Sequence, residues 1–305
     1  MVSIVMSCYK EPLRILQESI SSIFDSSRSD IELVLVIDNP TNIEISDWAT
    51  RLARDCGNVK ILRNENNLGL AMSLNKAIDC SEGEYICRMD ADDIAEPNRI
   101  EAQQSFVQEN GLDLAGSRVI VIGNGNDVLY ETPHLPERPE AIAKALKYNN
   151  CVPHPTWFGK IDVFRAHYRN IPLCEDYDFL IRSTLSGCRI GNTNQKLLRY
   201  RMTPHSISRS NLYKQYLCQV ALSRKYRKGE IADPAWIEGY VRDESDPAKS
   251  NKYAKSNKLF NESLAFMREK HYFAALKKLL MSAMGSYAYA SKIYRLFRAS
   301  LYSNR

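Results

Sequence analysis

Residues 32–38 read ELVLVID, a near-continuous run of β-branched and aliphatic residues closed by one acid. Such a run suits a strand covered on both faces, which is a parallel-sheet strand rather than the half-wet strand of a meander. Its neighbours repeat the theme. VSIVMS (2–7) is a short strand, a helix starts near Pro12 and reaches about Phe24, and a second helix follows over roughly 44–55. VKILR (59–63) is a strand, LGLAMSLNKAIDC (68–80) has helical apolar spacing, and EYICRM (84–89) is the next strand. Strand and helix alternating through short loops predict a parallel sheet built from right-handed crossovers. The sheet then sets where a ligand goes, beyond the carboxyl ends of its strands.

Past Asp93 the alternation loosens. Pro97 suits a first helical turn, and IEAQQSFVQENG fits a helix closing at Gly111. DLAGSRVIVIG (113–123) is a strand with a turn at NGND. Residues 133–155 are Pro-rich, with one helix expected over 140–148. A helix runs from Cys174 through EDYDFLIRSTLSG to Gly187. The last 95 residues show helical spacing only. We therefore expect an α/β domain over 1–209, in halves 1–110 and 111–209, with a helical region over 210–305.

Charge divides at the same place. Residues 1–209 carry 23 Lys/Arg and 28 Asp/Glu, whereas 210–305 carry 18 and 8. The basic tail points to an acidic neighbour, either nucleic acid or an anionic membrane. No nucleic-acid recognition motif accompanies it, so no nucleic-acid partner is expected. KLFNESLAFMREKHYFAALKKLLMSAMGSYAYASKIYRLFRASLYSNR mixes Leu, Phe, Tyr and Met with Lys and Arg, as an interfacial helix does. The alternative is an amphipathic bundle that packs on the α/β domain or forms a homodimer. The eight cysteines show no CxxC spacing, and MVSIVMSCYKEP lacks the basic start and long apolar run of a signal peptide. Reduced thiols in the cytoplasm are expected, and no apolar stretch is long enough for a membrane span.

RMDADD (88–93) crowds three carboxylates into four positions at the end of a predicted strand. Carboxylates that close repel unless a cation lies between them. With Asp38 ending the second predicted strand and Glu175 and Asp176 opening a later helix, these acids could line one crevice. Oxygen-rich sites select Mg²⁺ or Mn²⁺, completed by waters and substrate phosphates, so a nucleotide diphosphate held through a metal is expected. An Asp-x-Asp alone is weak evidence, because a solvated loop or a helix cap reads the same way.

The wider stretches narrow the choice. VSIVMSCYKEP, ELVLVIDNPT, NENNLGLAMSLNKAIDCSEGEYICRMDADDIAEPNR, EDYDFLIRSTLSG and LLRYRMTPHSIS together resemble the inverting glycosyltransferases of family 2, across roughly residues 1–210. The likeness is greatest to bacterial enzymes of O-antigen or capsule synthesis. It implies a GT-A fold, a Rossmann-like and mostly parallel sheet flanked by helices. It implies a UDP-sugar donor, an undecaprenyl-diphosphate-linked saccharide acceptor, Mn²⁺ or Mg²⁺, and work at the inner face of the cytoplasmic membrane. Residue by residue, it implies that Asp38 accepts from the uracil ring, Asp90 lies near the ribose and Asp92 holds the metal. Asp93 would support the site or touch the sugar, and Asp176 would be the general base, with Glu175 as the alternative.

The early acidic pair of the family is Asp38 followed by Asn39 here. The closing loop carries MTPHS, so His205, a candidate for the metal or diphosphate, is displaced by a residue or two. For Arg88 and Arg99 we favour pairing with the nearby carboxylates over phosphate contact. For Asn75 and Gly69 we favour helix packing and a close loop approach over nucleotide contact. Arg182 is expected as a structural partner. His154 is a loop hydrogen bonder or a border of the acceptor site, and Trp157 either packs in the core or stacks on a sugar. A nucleotidyltransferase is the first rival, although SCYKEP lacks a glycine-rich phosphate loop. A non-catalytic sugar-nucleotide-binding protein is the second.

Overall fold

The computed structural model describes residues 1–25, 30–171, 173–202 and 211–303. The first half follows the predicted alternation closely: β1 Val2–Cys8, α1 Leu13–Phe24, β2 Ile31–Ile37, α2 Ile43–Asp55, β3 Val59–Arg63, α3 Leu70–Asp79 and β4 Tyr85–Arg88. β1 pairs in parallel with both β2 and β4, and β2 with β3. Every residue of β2 is buried. Its side chains alternate between two cores, Val34 and Val36 on one face of the sheet and Leu33, Leu35 and Ile37 on the other. Two covered faces are why this strand has no polar alternation to read.

The second half departs from a purely parallel plan. β5 (Ile94–Ala95), α4 (Arg99–Glu109), β6 (Leu114–Ile122), β7 (Val128–Glu131) and α5 (Pro139–Ala145) are followed by a 3₁₀ turn at His154–Thr156. Then come β8 (Phe158–Lys160), α6 (Ile161–Phe164), α7 (Glu175–Leu185) and β9 (Ile190–Arg201). The strand order is β3-β2-β1-β4-β8-β6-β9-β5, with β7 on β6. β8 runs antiparallel to both of its neighbours, β4 and β6, so it turns the sheet from parallel to mixed. The join is tight, since a Cβ on Gly159 would lie 2.5 Å from the Asp113 carbonyl oxygen. The expected helix over 140–148 is α5, which ends earlier, at Ala145.

The C-terminal region is helical: α8 Leu212–Tyr226, α9 Pro234–Glu244, α10 Pro247–Arg268, α11 Tyr272–Gly285 and α12 Tyr287–Ser300. α8 is not an appendage. Cys218, Ala221, Leu222 and Tyr226 join the core cluster that holds Trp157, Phe164 and Phe179. The segment 203–210, at the expected boundary, lies outside the described residues, and with it His205. Among the described residues no helix is long and apolar enough to cross a membrane. All eight cysteines are free.

Candidate active site

β4 ends at Arg88, and the chain turns at once through Met89–Asp93 before β5 pairs back onto β9. That reversal gathers the acids of RMDADD. One oxygen from each of Asp90, Asp92 and Asp93 lies within 4.8 Å of the others. Arg201, at the end of β9, braces the loop from outside. Its backbone N–H donates to Asp93 Oδ1 (2.8 Å) and its Nε to the Asp92 carbonyl (2.8 Å). Its other nitrogens reach Asn126 Oδ1 (2.6 Å) and Glu18 Oε2 (3.0 Å). Its guanidinium fork meets these last three acceptors at once, in a geometry an ammonium lacks.

Electrostatics inside the cluster are unfavourable as it stands. Burial, then Asp90 and Glu11, push the Asp92 carboxyl up to about 7. Burial, then Asp90 and Asp92, hold Asp93 well above the usual range, and its Oδ2 is buried with no partner. Like charges in a low dielectric raise one another in this way, and a divalent cation would reverse it. The donor set fits Mg²⁺ or Mn²⁺ on these grounds: hard oxygen ligands, crowded, with one buried oxygen unspent. Glu11 acts on this cluster although no acidic pattern in the sequence singles it out. It sits in SCYKEP, its carboxylate accepts from the Tyr9 N–H (2.6 Å), and burial raises it.

Arg88 is 1% exposed, and its Nη2 donates to Asp90 Oδ1 at 2.5 Å. The preferred carboxylate pairing thus holds for Arg88 but not for Arg99. Arg99 is buried among backbone carbonyls, donating to Arg88 O (2.7 Å) and Pro155 O (2.9 Å), because α4 crosses beneath the loop there.

Asp90 and Arg88 open onto a cavity of about 670 Å³. Its far wall is the N-terminus of α7, where Glu175 and Asp176 point inward, with His154, Tyr200 and Gln215 around them. Asp176 accepts from Asn150 Nδ2 (2.7 Å) and from the Tyr177 N–H (2.7 Å). A helix N-terminus favours ionised carboxylates by roughly 0.3–1 kcal/mol, under one pKa unit. Burial overrides it: Glu175 rises to about 7, chiefly through burial and then Asp176, while Arg88 works against the rise in both. Asp178, two residues on, faces away into a buried ion group with Arg169 and Arg182, as expected for Arg182.

Other candidates have different work. Asp38 is 3% exposed and accepts from Asn64 Nδ2 (2.8 Å), Leu68 N–H (2.8 Å) and Gly69 N–H (2.9 Å). Gly69 holds φ +80°, which lets its N–H turn to Asp38 while the chain enters α3. Asp38 thereby fixes residues 68–71, which line the cavity. Asn39 bridges loops, donating to the Tyr9 carbonyl (3.0 Å). For three residues the structure selects one of the two roles expected above. The Asn75 amide is consumed by Tyr168, donating to its carbonyl and accepting from its N–H, both at 2.8 Å, so it is a strut between α3 and residues 165–171 and not a nucleotide contact. Trp157 is fully buried, donates to the Val152 carbonyl (3.1 Å) and packs on Phe179, so no sugar can stack on it. Asp93 is also fully buried and supports the loop without reaching a sugar. His154 meets Tyr168 Oη (2.9 Å) on the cavity wall, and burial keeps its imidazole well below its ordinary value, hence neutral.

Residues 3–167 match the sequence model of glycosyl transferase family 2. The chain belongs to glycosyltransferase family 2. This membership sets aside the nucleotidyltransferase reading. An uncharacterised glycosyltransferase of Methanocaldococcus jannaschii is 31% identical over 220 residues, covering 71% of this chain and 76% of that one. The O-antigen biosynthesis glycosyltransferase WbnJ of Escherichia coli is 29% identical over 233 residues, 75% and 89% of the two chains. Residues 1–349 of S. aureus TarS, solved with UDP-GlcNAc, superpose with a TM-score of 0.59 at 16% identity, covering 96% of this chain and 88% of that one. The fold of this family 2 glycosyltransferase is therefore GT-A, a mixed sheet flanked by helices with a helical C-terminal region.

Proposed function

We propose that the enzyme transfers a sugar from a UDP-sugar to a lipid-linked saccharide in bacterial surface polysaccharide synthesis, inverting the anomeric centre. One observation carries this reading: Asp90, from the cluster it forms with Asp92 and Asp93, and the Glu175–Asp176 pair line a single cavity large enough for a donor and an acceptor hydroxyl. The UDP-GlcNAc held by S. aureus TarS and the O-antigen role in the name of E. coli WbnJ support the donor and pathway classes.

In this reading Asp92 and Asp90 hold Mn²⁺ or Mg²⁺, and the loop fixed by Asp38 carries the nucleotide. The cation supplies Lewis-acid stabilisation of charge on the departing diphosphate. Asp176, oriented by Asn150 and the Tyr177 N–H, accepts the proton of the acceptor hydroxyl. That hydroxyl oxygen bonds to the anomeric carbon as the carbon–phosphate oxygen bond breaks on the opposite face, and UDP leaves with the electron pair. An α-linked donor then gives a β-glycoside. Glu175, raised to about 7, is the alternative base, since a base works best near the operating pH. The acceptor places the enzyme at the inner face of the cytoplasmic membrane.

Calorimetric titration of UDP with Mn²⁺, then with EDTA, tests the donor half. Binding only with metal supports it, and no nucleotide binding under either condition refutes it. Incubation with candidate UDP-sugars and a polyprenyl-diphosphate saccharide tests the acceptor half.

A further inference from the structure

α11 is built inside out. Phe273 is 85% exposed, Leu276 and Leu280 are each 53% exposed and Met284 is 87% exposed. Their spacing of three, four and four residues puts them on one face of the helix. The opposite face is small and polar. Ala275 and Ser282 are buried against α10, where Ser263 Oγ donates to the Ala275 carbonyl (2.8 Å) and Ser282 Oγ to the Ser256 carbonyl (2.8 Å). At Gly285 the helices come so near that a Cβ would lie 2.8 Å from Ser256 Oγ. A surface helix in water turns its apolar stripe to the core. Small residues and hydroxyls between helices, with large apolar side chains outside, is the packing used where the surroundings are themselves apolar.

Charge selects the surroundings. Residues 247–301 hold eleven Lys and Arg against two Glu. Lys277 is exposed beside the stripe, and Tyr287, 91% exposed, follows it at the start of α12. Basic side chains with apolar and tyrosyl neighbours match the boundary between anionic headgroups and acyl chains. A second copy of the chain would bring the same excess of positive charge against itself, which opposes self-association.

We infer that the outer face of α11 docks on an anionic lipid bilayer. Phe273, Leu276, Leu280 and Met284 enter the acyl boundary, and Lys277 meets the headgroups. Docking of this face needs nothing from the identity of the sugar transferred.

Co-sedimentation of the full chain with vesicles tests this, using phosphatidylcholine alone and phosphatidylcholine with about one-third phosphatidylglycerol. The wild type is expected to bind the anionic vesicles at least about tenfold more tightly than the neutral ones, less so at high salt. The double variant Phe273→Ser/Met284→Ser is expected to lose about tenfold or more of that binding. Both positions are solvent-facing, so unchanged circular dichroism and UDP binding show that the fold is intact. Lys277→Glu, which keeps the apolar stripe, is expected to weaken only the anionic preference. Equal partitioning of wild type and double variant, or no binding to either vesicle, overturns the inference. A wild-type dimer in sedimentation equilibrium that the double variant converts to monomer, without vesicle binding, assigns the face to a second copy and overturns it equally.

Discussion

Glu175 and Asp176 are adjacent on one helical turn, yet their surroundings give them different chemistry. Asp176 has two donors that stabilise its ionised form and fix its direction, whereas Glu175 is lifted to about 7 by burial and by its neighbour. Asp176→Asn is expected to cut transfer by about 10²–10⁴-fold with UDP binding unchanged, read in a product-formation assay beside calorimetry. Glu175→Gln is expected to leave most of the rate but to abolish a pH-dependent limb near pH 7 in kcat/KM. The reverse pattern would make Glu175 the base. In the acidic loop, Asp92→Asn is expected to abolish the Mn²⁺ dependence of UDP binding, and retained dependence would remove Asp92 from the metal site. These acids were legible in the sequence because crowded carboxylates are costly without a purpose. Glu11 was not, since a single acid in a loop carries no pattern. Asn150 was equally silent, because its contact with Asp176 depends on a fold that brings positions 26 residues apart together.

At the scale of elements, the acidic loop depends on a strand that arrives from the far end of the domain. β9 pairs with β5 and delivers Arg201 to the backbone of Asp92 and Asp93. Residues that orient ligands of a metal typically contribute about 10–100-fold to its affinity. Arg201→Lys, keeping charge but losing the fork, is expected to weaken Mn²⁺-dependent UDP binding within that range, as calorimetry would show. Unchanged affinity would mean that the loop holds its shape alone. Strands β1 to β4 could be read because they form short, largely apolar runs, and helices α1 to α4 because helical segments alternate with those runs. β8, three residues long, and β5, two residues long, are below the length at which any period exists. The mixed character of the sheet lies in those two strands and in the four-residue β7, which pairs antiparallel with β6, which is why the sequence suggested a more parallel sheet than the molecule has.

For the whole molecule, the buried acids make stability depend on pH in an unusual direction. Asp92 and Glu175 titrate near 7 when folded, against 3.8 and 4.5 for their ordinary values. Between those limits the folded chain holds protons that the unfolded chain has released, so stability falls as pH rises through this window. Glu32 and Asp113, lowered by Ser3 and Lys160 among others, act oppositely and lose their contribution only in more acid solution. The melting temperature of the metal-free protein is therefore expected to decline from about pH 5 to pH 8, and Mn²⁺ to recover most of the loss at the upper end. Scanning fluorimetry with EDTA and with Mn²⁺ measures both arms. A melting temperature that rises over this range would show that these carboxyls are ionised without a cation.

The hydrogen bond from Arg201 to Asp93 spans 108 positions of chain, and Gln215 on the cavity wall comes later still. On the ribosome, β1 to β4 emerge and can pair long before either residue has been made. A nascent chain thus displays its acidic loop unbraced for many seconds at ordinary elongation rates of about 5–20 residues per second. Catalytic competence is reached late in synthesis, after the nucleotide-facing half has already taken shape.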